Sequence, residues 1–469
     1  MTQAPKIDAP GGRGRNVADR SGVQGFFFPE GAQLPPQIER AEGVYYWDST
    51  GARYIDAASG PVAVNIGHSN RRVLEAIERQ ARKVSFAFPL NFQSETSQRF
   101  SRALLAEAGP RFDHVYVTSG GSEAVETCMK FARTVAVRKG EASRRYFISQ
   151  NPSYHGATLG AAGLSGDEAM EELFGAISRP CAKIPAPLSY RQPDGFTAET
   201  HARRSLETLR ETIERLGPEN VLAFIMEPVA GLSAGANVAP DFYYAEIRRI
   251  CSAYGVILIY DEVLTGGGRT GAFLAAHHWP GADPDLVALS KGVSAGYLPL
   301  GAMLAPAHMV DLVASTGGFP HAQTYTTTPL ACAAGDAILH EIREGDLIGN
   351  ASRSGALLRR RLDEIAGASP LIGDVRGKGL LLAIEIVADK TSKRMIPLEE
   401  NAPAKIGRIA MEEGLVLYPR RTNGGKFGDW LMVTPPLTIN TDEIIDLTDR
   451  LERTLGRYAD ALARAGIIS

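Results

Sequence analysis

Cysteine is scarce in this chain: Cys128, Cys181, Cys251 and Cys332 are the only four among 469 residues. They are widely scattered, with no Cys-x-x-Cys pair and no cysteine–histidine cluster. That argues against a disulfide framework or a zinc site, and for a reduced, cytoplasmic protein without a bound metal. Long apolar runs are missing too. No stretch reaches the ~18 apolar residues that a membrane-crossing helix needs. Met1 to Arg20 is polar and rich in Gly and Arg, without the apolar core of a signal peptide. Charge of one sign is not in excess, since the formal net charge is −3. This balance makes no case for nucleic acid or an anionic membrane surface. No Gly-x-Gly-x-x-Gly follows the first strand with an acid about 20 positions on, which weakens a dinucleotide-binding reading.

What is present is ordinary globular material, 44% hydrophobic and 22% charged, enough for large cores in roughly two to three domains. The first 25 residues read as a loose arm. Tyr45 to Asp56 reads as two short strands around a turn. Arg71 to Lys83 has helical spacing, with Val73, Leu74 and Ile77 on one face. From about residue 110 to 335, strands alternate with helices. Val115–Val117, Tyr146–Ile148, Val221–Met226, Val256–Tyr260 and Leu286–Leu289 are apolar runs, and Ser122 to Val137 repeats apolar residues at steps of three and four. Continuous apolar strands between helices predict an α/β fold, a parallel sheet covered on both faces. After residue 335 the strand Leu380–Val387, the strand Leu431–Val433 and a helix from near Thr441 suggest a smaller α+β unit. The expected division is an arm and part of the small domain over 1–72, a large domain over 73–335, and a C-terminal small domain over 336–469.

The strand ends carry the chemistry. Val256–Tyr260 runs into Asp261-Glu262, and Leu286–Leu289 runs into Ser290-Lys291-Gly292. Both reach the carboxyl edge of a parallel sheet, where open α/β sheets bind ligands. A lysine held there can form a Schiff base, and a nearby carboxylate can keep a pyridinium nitrogen protonated. Asp261 read by itself fits a helix cap equally well, and most lysines are simply solvated. Thr118-Ser119-Gly120-Gly121-Ser122 joins a strand to a helix and could seat a phosphate on free backbone N–H groups, or it could be a plain helix start capped by Ser122. Tyr154 could stack on a flat ligand or be a core aromatic.

The order of these pieces is more specific than any one. Gly-Ser turn, Tyr154-His155-Gly156, strand-Glu227-Pro228, strand-Asp261-Glu262-Val263 and Ser290-Lys291-Gly292 follow one another. With Ile259 to Gly271, Asn65-Ile66-Gly67-His68 and Arg376-Gly377-Lys378-Gly379-Leu380, the chain resembles the class III (ω-type) aminotransferases. These are pyridoxal 5′-phosphate enzymes of fold type I, and the likeness covers about residues 40 to 455. It implies a large domain with a mostly parallel seven-stranded sheet between helices, and a smaller α+β domain built from both termini. It implies that Lys291 is the Schiff-base lysine and Asp261 the carboxylate on the ring nitrogen. Gly121 and Ser122 match the phosphate turn, Tyr154 the stacking aromatic, Val263 the apolar contact on the other face, and Glu227 the supporting glutamate. Thr324 matches a threonine that reaches the neighbouring subunit's phosphate, which implies a homodimer with shared active sites, or a tetramer built from it.

Some positions depart from the family pattern. Leu264 follows Asp-Glu-Val, and Tyr325-Thr326-Thr327-Thr328-Pro329 replaces the usual loop. Pro61-Val62-Ala63-Val64 stands where amine–pyruvate members often place a tryptophan, which predicts a roomier pocket. Phe86, Phe88 and Phe92 are candidates for its apolar lining, or for ordinary core packing. Arg421, with Arg420 beside it, is the candidate for a substrate carboxylate, or both are solvated loop residues. The expected reaction moves an amino group from a primary amine or ω-amino donor to a keto acid, pyruvate first among them, by a ping-pong route through pyridoxamine phosphate. Aminomutase or decarboxylase chemistry uses the same scaffold, and a non-catalytic cofactor-binding protein is the remoter alternative.

Overall fold

The computed structural model describes residues 34–468, so the loose arm expected over the first 25 residues lies outside the described residues. The expected pair of short strands forms. Strand β1 (Ile38–Glu42), β2 (Tyr45–Asp48) and β3 (Arg53–Asp56) make an antiparallel meander. Its second turn is pinned by Asp48, whose Oδ1 accepts from Thr50 N at 2.9 Å and Ala52 N at 3.0 Å. The helix expected from Arg71 to Lys83 spans those residues, with Asn70 accepting from Val73 N as its cap.

The alternating region builds one sheet from β4 (His114–Thr118), β5 (Tyr146–Asn151), β6 (Ala182–Pro185), β7 (Val221–Met226), β8 (Ile257–Asp261), β9 (Leu286–Leu289) and β10 (Gly301–Ala305). Their spatial order is β4-β10-β9-β8-β7-β5-β6. The neighbours from β9 to β6 are parallel, while β10 runs antiparallel to both β4 and β9. Strands β7, β9 and β10 are buried at every residue, which is why they read as unbroken apolar runs. Alternate side chains face opposite sides. Leu258 and Tyr260 join the core shared with helices Ala198–Leu216 and Phe242–Tyr254. Ile259 joins the core under helices Gly121–Arg138 and Ala307–Ser315.

A second sheet takes β11 (Ile372–Lys378) and β12 (Leu381–Ile386), then β14 (Tyr418–Arg421) and β15 (Asp429–Val433), in the order β11-β12-β15-β14. The short β13 (Leu415–Val416) joins β3 in parallel instead. Leu382, Ile384, Leu431 and Val433 pack with the helices Leu347–Ala368, Ala402–Glu412 and Thr441–Arg464. The opposite face, with Leu381, Ala383, Trp430 and Met432, joins the core of the central sheet. The helix expected near Thr441 begins there, with Asn440 and Glu443 forming a capping box.

Arg269 ties the parts together. It is fully buried and donates to Asn65 Oδ1 at 2.7 Å, Ser59 Oγ at 3.3 Å, Thr434 O at 3.3 Å and Pro435 O. With no acid paired to it among the described residues, burial pushes its guanidinium pKa down to about 9 against the opposing charge of Asp56. The carbonyl dipoles do the work that a counter-ion would otherwise do.

Candidate active site

Five strands of the central sheet end on one side and bring the predicted residues to one cleft. Asp261 is the last residue of β8 and pairs with Ala288 of β9. Lys291 lies two residues past the end of β9, Glu227 follows β7, Tyr154 follows β5, and Gly120-Gly121 follows β4. The parallel direction of β5, β7, β8 and β9 is what makes four separate strand ends converge.

Lys291 is held in an unusual backbone conformation, with φ at +33°. A non-glycine residue there is strained and persists only if the surroundings fix it. They do: the Lys291 carbonyl accepts from Ala295 N at 2.7 Å, Ser294 N at 3.0 Å and Ser294 Oγ at 3.0 Å. The residue as a whole is half-buried. Its amine has no hydrogen-bond or ion-pair partner among the described residues. The packing around it lowers the ammonium's pKa, while the charges of Asp261 and then Glu227 oppose the shift. A lysine so placed is nearer to a free amine than a surface lysine is, which suits a nucleophile.

Asp261 is 5% exposed and fully engaged. Its Oδ2 lies 2.8 Å from His155 Nδ1, and its Oδ1 accepts from Val263 N at 3.0 Å. With Asp261 ionised, Nδ1 of His155 is the donor. His155 is buried and its Nε2 has no partner among the described residues. The reading of Asp261 as a helix cap fails, since a turn and not a helix follows β8.

Glu227 is buried as well. Its Oε1 accepts from Tyr154 N at 2.9 Å and Ser233 Oγ at 3.0 Å, and its Oε2 from Gly231 N at 3.0 Å. Burial raises its pKa, the neighbouring Asp261 adds to the rise, and His155 and the two amides oppose it.

At the end of β4 the helix Gly121–Arg138 has Gly120 as its N-cap, with no side chain capping the first turn. Ser122 is therefore not the cap; it lies inside the helix, and its Oγ accepts from Ala157 N at 3.0 Å. A Cβ on Gly121 would come within 2.7 Å of Val263 Cγ1, so only glycine lets this helix start approach the end of β8. The uncapped N–H groups and the helix dipole form a seat for an anion. Seat, carboxylate, amine, Tyr154 and Val263 together fit a flat, phosphorylated aldehyde. The donor set is what pyridoxal phosphate needs: an anion seat, an acid for a ring nitrogen and an amine for the aldehyde.

The remaining candidates lie farther out. Arg421, the expected partner of a substrate carboxylate, is engaged within the protomer. It forks onto Asp429 across β14 and β15, with Nε 2.6 Å from Oδ1, and donates to Leu398 O at 3.1 Å. Arg420 points elsewhere. Its guanidinium carbon lies 5.9 Å from the Tyr418 ring centre, its Nε is buried without a partner, and its charge acts on Tyr154. Thr324 is exposed. Phe86 and Phe92 are 43% and 69% exposed, so neither is core packing within one protomer, and Phe88 is half-buried. Phe86 meets Tyr325 edge-on with centroids 6.3 Å apart. His155 is the functional residue that motif reading left without a role; its place beside Tyr154 was the available signal. A cavity of about 730 Å³ lined by Arg72, Arg79, Lys83, Arg99 and Arg102 contains none of these residues.

Comparison with known proteins agrees with this geometry. The family model "Aminotransferase class-III" matches residues 27–455. An uncharacterised aminotransferase of Bacillus subtilis (strain 168), YodT, is 35% identical over 91% of this chain and 96% of its own. The putrescine–pyruvate aminotransferase of Pseudomonas aeruginosa is 31% identical over 91% of each. An amine transaminase from an uncultivated Pseudomonas species, solved with PLP bound, superposes with a TM-score of 0.86 at 32% identity, covering 93% of this chain and 99% of that one. The chain belongs to the class III aminotransferases, pyridoxal-phosphate-dependent enzymes of fold type I.

Proposed function

We propose that this aminotransferase moves an amino group from a primary amine or ω-amino donor to a keto acid, with pyruvate as the preferred acceptor, in two alternating half-reactions. The observation that carries the site assignment is the unpartnered amine of Lys291, set at a strained backbone position between the charges of Asp261 and Glu227. Pyridoxal phosphate, when bound, supplies the electron sink that makes the substrate's α-carbon acidic, and it carries the amino group between the two half-reactions.

The chain's own residues do the rest. Gly121 and Ser122 hold the phosphate at the uncapped helix start. Asp261, kept in place by His155, would hold a proton on the ring nitrogen, and Tyr154 and Val263 would supply the apolar contacts to the ring. The Lys291 amine would anchor the cofactor and, when free, would serve as the base that takes and returns the proton of the substrate's α-carbon. Arg420 takes the carboxylate of the acceptor, because its guanidinium is free where that of Arg421 is taken.

The donor reading is supported by the small residues Pro61 to Val64 and by the similarity to a putrescine–pyruvate enzyme. Phe86, Leu90, Phe92 and Tyr325 leave apolar surface on the protomer. A second copy would cover it and place Phe86, Phe88 and Thr324 at the partner's site, in a homodimer with shared active sites. Among the described residues no helix is long and apolar enough to cross a membrane.

A screen of donors against pyruvate tests the reaction, run with and without a carboxylate on the donor. Carbonyl product should form in step with alanine. Product without consumption of a keto acid would refute transamination of this kind.

A further inference from the structure

We propose that Arg376 and Glu385, on the second sheet, are positioning residues that set the charge of Glu227 in front of Lys291. The contacts run without a gap from Arg376 to Glu227, and the charge of Glu227 acts on Lys291. Arg376 donates from Nε to Gly235 O at 2.6 Å and from Nη2 to Ala234 O at 3.2 Å and Glu385 Oε2 at 2.7 Å. Its Nη1 reaches Asp374 Oδ2 at 3.1 Å. Glu385 is wholly buried and takes a second arginine on its other oxygen, Arg191 Nε at 2.7 Å. The two strands thus present one rigid fork, and the fork grips the tip of a loop.

That loop is closed at its base by Ala230 and Asn237, which exchange backbone hydrogen bonds of 2.9 Å. Its tip turns through Gly235 at φ +60°, where a Cβ would come within 2.7 Å of both Arg376 Nη2 and Trp430 Cγ. Between base and tip it supplies Gly231 N and Ser233 Oγ, two of the three donors to Glu227. Ser233 O also accepts from Thr422 Oγ1 at 3.1 Å, so β14's end shares the same loop. A buried arginine–carboxylate fork adds little net stability. A fork that also donates from Nε and Nη2 to two carbonyls of one loop does something else: it fixes where that loop's donors point.

The consequence is electrostatic. Glu227 faces Tyr154 N and His155 from the end of β5, Asp261 from β8 and Lys291 from β9. Correctly aimed donors favour its ionised form against the burial that raises its pKa. A loosened loop lets Glu227 take up a proton, and the cation at Lys291 loses a negative neighbour that raises its pKa. The inference rests on Lys291 being the cofactor's anchor.

The test is a pH titration of the holoenzyme's visible absorbance, which reports the proton on the cofactor–lysine nitrogen and does not depend on turnover. Arg376→Lys and Glu385→Gln should each lower the midpoint by about half a pH unit or more. Ser233→Ala, which removes one donor and leaves the fork intact, should shift it less and in the same direction. Glu227→Gln should lower it too, and Arg376→Lys should add nothing in that background. An unmoved midpoint in Ser233→Ala and in whichever fork variant folds, even with reduced thermal stability, overturns the proposal and leaves Lys291 as anchor. A wild-type protein with no lysine-dependent band overturns the anchor reading and the proposal with it.

Discussion

His155 Nδ1 and Asp261 Oδ2 lie 2.8 Å apart in the floor of the cleft, both buried. The imidazole fixes the orientation of the carboxylate proposed to meet the cofactor's ring nitrogen, since Asp261's other oxygen is held by Val263 N. A hydrogen bond to a charged group contributes about 1.5–3 kcal/mol. His155→Ala should therefore reduce kcat/KM roughly 10- to 100-fold and weaken cofactor retention, with the fold intact by circular dichroism. Wild-type kinetics in that variant would remove His155 from the site.

Arg420 and Arg421 should separate cleanly under mutation. Arg420→Ala should raise KM for keto acids and carboxylated donors roughly 10- to 100-fold, with little change for donors that lack a carboxylate. Arg421→Ala should instead destabilise the protein by about 3 kcal/mol, because Asp429 is left buried and unpaired. Paired steady-state and thermal-melt measurements decide it. A carboxylate-specific KM defect in the Arg421 variant alone would reverse the assignment.

Glu262 supplies a pH dependence of stability. It is wholly buried and accepts from Thr265 Oγ1, Ala275 N and Ala276 N. Burial, as the largest cause, raises its pKa from 4.5 to about 7. A raised carboxyl contributes stability that is complete below its unfolded value and is lost as pH rises through the folded one. Between pH 5 and 8 the wild type should therefore lose on the order of 3 kcal/mol relative to Glu262→Gln. Denaturant melts of both proteins across that range check the slope. Parallel pH profiles would contradict it.

The strands that carry the chemistry were readable because they are buried on both faces. Val221–Met226 and Leu286–Leu289 are unbroken apolar runs, and the polar residue after each stands out as a strand end. Strand direction has no such local mark. Gly301–Ala305 has the same buried character as its neighbours yet runs against them, and no expectation was attached to it. The difference between Arg420 and Arg421 was not legible in the sequence for a related reason. Successive residues of a strand face opposite sides, so one step of register exchanges a free guanidinium for one paired across the sheet with Asp429. The alternative reading of Ser122 as a helix cap falls two residues late, since the cap is Gly120, which carries no side chain to announce it. The hold of Arg376 on Gly235 joins residues 141 positions apart, beyond any local pattern.

The claim on which all of this depends is a covalent link between the cofactor and the side-chain nitrogen of Lys291. Borohydride reduction of the holoenzyme, followed by proteolysis and peptide mass analysis, tests it most directly. The account predicts the phosphopyridoxyl mass on Lys291, and no such adduct and no turnover in Lys291→Ala. The same mass on a different lysine, or an unmodified Lys291 in an active and reduced sample, would contradict it.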